Sequence, residues 1–283
     1  MIRSFFFLVL LISLAACPAD LETEPAYVLI EGFNLETETA EGAPTSAITE
    51  VWAFADEEFI GVFPLPGRIP LFRTGALTLR LEAGVHQDGR SVTPEIYPFY
   101  THFERDLELL GGETIELGRV DVGYRDATVF GFVDGFEEGE ARAFTDALSP
   151  GGTVTPQSAV VRSGAQAGAI TLSDTARLVE VATGATFRDL NVPPVNVWME
   201  VDFLADAPTL FGVVGQRDGT PVRVFDPGFL PRPDWTKIYF NLGPVIGSAD
   251  LAELRIALST LLPTDLGSGS VYLDNLKLLY LRP

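Results

Sequence analysis

The sequence predicts an all-β protein, a small β-sandwich followed by a jelly-roll β-sandwich. Three observations predict it. Apolar runs are short and broken by Gly, Pro, Asp and Asn, with 27 Gly and 20 Pro in 283 residues. Apolar and polar residues alternate with a period of two, as at Leu77, Leu79 and Leu81 between Thr78, Arg80 and Glu82. No stretch sustains a helical period. Even without its first 16 residues the chain exceeds a typical single domain, so two domains are expected. Apolar residues make up 47% of the chain, enough for packed cores. With one cysteine, no internal disulfide supplements burial.

The first element is a secretory signal, residues 1–16. A basic start at Arg3 precedes an apolar run from Phe5 to Ile12, and small residues follow at Ser13, Ala15 and Ala16. The run is too short to span a bilayer, which takes about 20 apolar residues. Leu14-Ala15-Ala16-Cys17 resembles the lipobox of bacterial lipoproteins. The resemblance implies alkylation of the Cys17 thiol by a diacylglycerol and cleavage before it. It also accounts for the single cysteine, which would otherwise be an unpaired thiol in an exported protein. Residues 17–25 then form an acidic tether. Pro18 follows the cysteine, so the acidic retention signal of the inner membrane is missing there. Asp20, Glu22 and Glu24 resemble the acidic tether of surface-exposed lipoproteins in the Bacteroidota group. The expected location is the outer membrane, held by lipid, with either leaflet face open.

Residues 26–122 are expected to form the small sandwich. "AYVLIEGF" (26–33) supplies a first strand and "GETIELGRVDV" (112–122) a last one. Residues 48–66 read as two strands about the acidic turn Asp56-Glu57-Glu58, and Asp88-Gly89 marks a tight turn. With its hairpin "VWAFADEEFIGVFPLPGRIPLF" and strand "GALTLRLEAGV", this half resembles PEGA-like or transthyretin-like envelope domains. That implies a spacer or docking module without a catalytic group. In "YPFYTHFER", the aromatics Tyr97, Phe99, Tyr100 and Phe103 read as core edge or a docking patch.

"GYRDA" (123–127) is the expected junction, and residues 123–283 hold a second set of about eight or nine strands. Asp218-Gly219 should turn a hairpin, and "SADLAEL" (248–254) is expected to hold one helical turn. The opening strand "FVDGFEEG" (132–139), "WTKIYFNLG" (235–243) and the closing strand "VYLDNLKLLY" (271–280) resemble, in that order, strands of galactose-binding-like jelly rolls and carbohydrate-binding modules. Fold does not fix ligand, but the resemblance implies a glycan.

Sugar binding needs an aromatic face and planar polar side chains beside it. Trp235 follows "PRPD" at a loop-to-strand edge and is the aromatic candidate; Arg217, Asp218 and Asp226 on the neighbouring hairpin and loop supply the polar part. Trp198, inside "VWMEVDF", reads as core. Asp274 and Asn275 interrupt the closing strand between Leu273 and Leu276. Two readings are open for Asp274. In related modules acids of the first and last strands share a structural calcium, which would draw on Asp134, Glu137 and Asp274, with Glu138 nearby. Alternatively, the Asp274 carboxylate accepts backbone N–H bonds from a neighbouring loop. No other cofactor is implied.

Enzyme motifs are absent: there is no Gly-x-Ser-x-Gly, His-Glu-x-x-His, P-loop or Gly-x-Gly-x-x-Gly. A His base would need a nucleophile beside it, and nothing in the sequence pairs the only histidines, His86 and His102, with one. The net charge is −20 and the positive charge is nearly all arginine, with Lys237 and Lys277 the only lysines, a bias read as codon usage. Such a chain repels phosphate backbones, so nucleic acid is not an expected partner. The expectation is a non-enzymatic envelope lipoprotein with a glycan partner. The alternative is an accessory subunit of an outer-membrane protein assembly.

Overall fold

The computed structural model describes residues 24–281, so Cys17 and the preceding leader lie outside the described residues, as does most of the tether. The fold is all-β. The first eight strands are β1 (Ala26–Leu35), β2 (Glu50–Ala55), β3 (Glu58–Pro64), β4 (Gly67–Leu71), β5 (Gly75–His86), β6 (Pro94–Ile96), β7 (Phe103–Leu109) and β8 (Thr114–Val122). They form a three-stranded sheet, β4-β1-β8, packed on a five-stranded one, β3-β2-β5-β6 with β7 also beside β5. β1 and β8 run parallel and the other pairs antiparallel. Leu77, Leu79 and Leu81 point inward together, as their spacing requires. Asp56 and Glu57, and then Asp88 and Gly89, take positive φ, the geometry of tight turns whose twist matches the flanking strands.

The second set is β9 (Thr128–Asp134), β10 (Phe144–Ala147), β11 (Thr155–Gln157), β12 (Ala167–Ser173), β13 (Leu178–Thr183), β14 (Phe187–Arg188), β15 (Val197–Ala205), β16 (Thr209–Arg217), β17 (Thr220–Phe229), β18 (Arg232–Asn241), β19 (Glu253–Leu261) and β20 (Ser268–Leu281). One six-stranded sheet is β11-β12-β20-β15-β18 with β9 also on β20. The other is β10-β13-β19-β16-β17 with β14 also on β19. Inward-facing Met199, Val201, Phe203, Phe211, Val213, Ile256, Leu258 and Phe240 fill the space between them. The strand count exceeds the expected eight or nine because short β10, β11 and β14 add to the sheets between longer strands. Asp218 and Gly219 turn the β16–β17 hairpin at positive φ. An α-helix, α1 (Gly243–Ala249), starts earlier than the expected 248–254 and shares only Ser248 and Ala249 with it. Pro244 pre-sets the first turn, and Asp250 takes a left-handed conformation that ends the helix.

β16 is bulged between Leu210 and Gly212, where it pairs with β17. A Cβ at Gly212 would overlap the Val224 carbonyl oxygen and the Phe225 Cα. Gly212→Ala is therefore expected to lower stability by about 3 kcal/mol, read from the urea midpoint.

Candidate functional site

Which face of the second sandwich is free depends on a buried contact with the first. Val197, Met199, Val201, Ile238 and Phe240 point into the second core, so Trp198, Glu200, Asp202, Lys237 and Tyr239 face the other way, out of the β15–β18–β20 sheet. That outer face is covered by the first sandwich. Trp198, Tyr239 and Leu279 belong to the same apolar cluster as Val51, Leu79, Tyr97 and Tyr100. At its centre Glu200 accepts hydrogen bonds from the hydroxyls of Tyr97 and Tyr124, both at 2.9 Å, and pairs with the Lys237 ammonium at 3.0 Å. Lys277 donates to the Tyr124 hydroxyl (3.0 Å) and to the Ala43 carbonyl (3.1 Å). Thr45 donates to Asp202 at 2.6 Å and accepts from Lys237, and the Tyr239 hydroxyl accepts the Ala47 N–H. The β1–β2 connection thus straps the two sandwiches together.

This cluster accounts for several features of the sequence. The chain's two lysines both lie in it, Lys277 with no exposure at all. Tyr97, Phe99 and Tyr100 are not an exposed patch: all three are buried in the first sandwich's core cluster, at whose edge Tyr97 and Tyr100 meet Tyr239 and form the seam between sandwiches. The "GYRDA" junction is pinned rather than free: Arg125 donates to the Tyr100 carbonyl at 2.6 Å, and Tyr124 is buried. Lys237 and Lys277 beside Glu200 hold its carboxyl below the usual range despite burial. Burial brings Lys277 down to about 8 and pushes all four tyrosine hydroxyls up.

The carboxylates expected at a calcium site are engaged otherwise. Asp134 accepts the backbone N–H of Phe136 (3.0 Å) and of Ala143 (2.7 Å), with Arg142 at 3.3 Å. Glu137 accepts from Ala165 at 2.7 Å. Asp274 accepts the N–H groups of Arg162 and Ser163, each at 3.1 Å, which is the second of its two readings. Burial lifts Asp274 to about 6 against those bonds. Among the described residues no group of three or more His, Cys, Asp or Glu is placed to hold a metal ion. Asn275, at positive φ, occupies a bulge opposite Val201, which is why Leu273 and Leu276 can both reach the core.

Nor are Trp235, Arg217 and Asp226 brought together. Arg217 stands at the β16–β17 tip, 3.5 Å from the Ala249 carbonyl. Asp226 is six residues along β17 from Thr220, the cross-strand partner of Arg217. At a strand's rise the two are about 20 Å apart. Asp226 is exposed at the edge toward the first sandwich, where its charge acts on Asp88. Trp235 shares the outer face of the covered sheet with Lys237 and Tyr239 and is half-buried. Phe211, Trp198 and Tyr239 are packed away. His86 pairs with Glu50, and His102 lies 3.8 Å from Glu104.

The other sheet's outer face is open, and it carries a groove of about 480 Å³ lined by Leu148, Val214, Gln216, Arg223, Glu253 and Arg255. Cross-strand register puts Arg223, Val214 and Arg255 in one row over β17, β16 and β19. Beside that row lie Gly212, Ala257 and Ala182, small and buried, with Leu148 and Phe225 packed over the cluster that Ala182, Val214 and Ala257 form. Arg223 pairs with Glu180 (2.9 Å), Arg255 with Asp146, and Arg188 with Glu253 (2.6 Å); Ser259 donates to Glu180 at 3.1 Å. None of these residues was expected from sequence. Their one local sign is a charge flanked by apolar residues in mid-strand, as in "VRV", "LRI" and "VEV".

No family model and no curated protein matches the chain. Solved structures resemble it at low identity. One, from work on promiscuous carbohydrate-binding modules of the β-sandwich superfamily, is 15% identical, covers 82% of this chain and 85% of its own, with a TM-score of 0.37. A family 30 carbohydrate-binding module is 13% identical over 56% of this chain and 96% of its own, with a TM-score of 0.36. A Bacteroides ovatus mixed-linkage glucan utilization locus protein, in complex with a mixed-linkage heptasaccharide, is 9% identical over 89% of this chain and 53% of its own, with a TM-score of 0.24. The likeness is one of β-sandwich architecture.

Proposed function

We propose that the chain is a lipid-anchored, non-enzymatic envelope protein that binds a carbohydrate in the groove on its open sheet. The observation that carries this reading is the groove in which Arg223 and Arg255, in one row across the sheet and each with a fixed carboxylate partner, stand beside the apolar side chain of Leu148. Planar, forked donors and acceptors held in place beside apolar surface are what vicinal hydroxyls and a sugar's C–H face require. Affinity electrophoresis of the whole chain through polysaccharide gels tests it. Arg223→Ala and Arg255→Ala are each expected to weaken retention about 10- to 100-fold, since each removes charge-assisted hydrogen bonds. Their melting temperatures should hardly move, because both pairs are partly exposed. Retention that both variants preserve would place the ligand elsewhere.

The anchor is the diacylglycerol on Cys17. Cys17→Ser is expected to move the protein from the membrane to the soluble fraction, and mass spectrometry of the native protein should find the acyl chains. A second reading, an accessory subunit docked on a protein partner, draws on Leu178, Leu210 and Leu261, which are exposed on the open face. Crosslinking in native membranes distinguishes it, by a partner whose capture fails when Leu210 is made Asp.

A further inference from the structure

We infer that the groove selects an uncharged glycan, a neutral hexose or pentose chain, and rejects uronates and sulfated sugars. This rests on the glycan-binding reading above and narrows its ligand class.

The charge on the groove and its rim is closed. Three guanidinium groups, Arg188, Arg223 and Arg255, each hold one carboxylate, Glu253, Glu180 and Asp146 respectively. Glu180 is further fixed by the Ser259 hydroxyl. An acidic sugar would have to displace a carboxylate already bonded to its arginine, exchanging one ion pair for another and leaving an expelled anion beside it. It would also approach against the field of a chain with a net charge of −20. A neutral sugar meets neither obstacle. Its hydroxyls can use the N–H groups and oxygen lone pairs that the pairs leave over, since a guanidinium has five donors and a carboxylate about four acceptor sites.

The apolar surface agrees. Beyond Leu148 and Phe225, which cover the buried small residues, the same face continues to Leu210, next to Ser259, and to the cross-strand pair Leu178 and Leu261. These last three leucines are 44–55% exposed. The face therefore runs from a polar, charge-balanced end to an apolar one. Among the described residues it presents no Trp or Tyr as a flat platform, the residues that would suit a crystalline polymer surface; Phe225, opposite Gly212, is partly buried against Ala182, Val214 and Ala257. A single soluble chain that turns hydroxyls to the arginines and C–H faces to Leu148 and Leu210 fits both ends.

The test uses the whole chain against a panel of soluble polysaccharides: laminarin, galactan, mannan and xylan as neutral probes, and alginate, polygalacturonate and a sulfated galactan as acidic ones. Calorimetry is run at low salt and at high salt. At least one neutral probe is expected to bind with an affinity that salt changes less than twofold, while the acidic probes do not bind. A second variant tests the cause. Asp146→Asn combined with Glu180→Gln frees two guanidinium groups, and alginate binding that weakens with salt is expected to appear. Wild-type binding to an acidic probe in preference to the neutral ones would overturn the neutral-ligand inference and leave glycan binding intact. Failure of the double variant to gain alginate affinity would overturn charge pairing as its cause. If the folded wild-type protein binds nothing in the panel, the glycan-binding reading itself falls.

Discussion

Glu200→Ala is expected to lower the stability of the whole chain by about 3–5 kcal/mol, the usual consequence of removing one partner from a buried ion pair. Glu200 is fully buried and serves three groups at once: two tyrosine hydroxyls and an ammonium. Without it, Lys237 keeps the Thr45 hydroxyl and Asp202, at 3.6 Å, and two buried hydroxyls lose their acceptor. The tyrosines come from the seam and junction of the first sandwich, whereas Glu200 is on β15. The loss should therefore appear as uncoupling as well as lower stability. Urea unfolding of the parent is expected to be one transition. In the variant it should separate into two, the fluorescence of Trp198 changing in the first, since that indole lies 5.5 Å from the Tyr97 ring. Glu200→Gln keeps an acceptor for the tyrosines but loses the charge, and should fall between the two. A midpoint unmoved by Glu200→Ala would show that apolar contact alone joins the sandwiches.

Alkaline solution should dismantle the same seam. Tyr97, Tyr100, Tyr124 and Tyr239 are buried, and burial first, then the Glu200 charge, raises each above its ordinary value of 10.0. A group whose pKa is raised by folding contributes stability that is complete below its unfolded pKa and is lost as pH climbs beyond it. The folding equilibrium should thus fall above pH 10, by about tenfold per tyrosine for each further pH unit. Lys277 acts with the opposite sign. Its folded value of about 8 is below its unfolded 10.5, so between them the native state has already shed a proton that the unfolded chain still binds. Stability gains up to about tenfold per pH unit over that window. Melting temperature should therefore hold or rise from pH 8 to 10 and then collapse, with tyrosinate absorbance appearing cooperatively as the protein unfolds. Tyr100→Phe removes one of the four and should make the fall shallower. Tyrosines that ionise gradually near pH 10 in the folded protein would contradict a sealed seam.

Some of this was legible in the chain and some was not. Strand positions followed from alternation that involves neighbours only, as at Leu77, Leu79 and Leu81. Turns followed from Asp-Gly pairs that tolerate positive φ, as at Asp88-Gly89 and Asp218-Gly219. Asp134 and Asp274 resemble calcium ligands in sequence, and only the fold shows that each accepts backbone N–H bonds. Trp235, Arg217 and Asp226 are close in number, but a hairpin and a change of sheet carry them to different faces. The groove escaped notice because Asp146, Glu180, Arg223 and Arg255 are spread along four strands. Only lateral pairing places them side by side.

By itself, then, the sequence determined an all-β chain, two runs of strands and the sites of its tight turns, because those depend on residues within a few positions of one another. Tertiary structure alone decided which sheet face of the second sandwich is covered and which is open. That choice turns on contacts between Tyr97, Glu200 and Lys277, well over a hundred positions apart from first to last. Strand periodicity says that a side chain leaves the core, but whether it then meets water or another sandwich is settled only by packing.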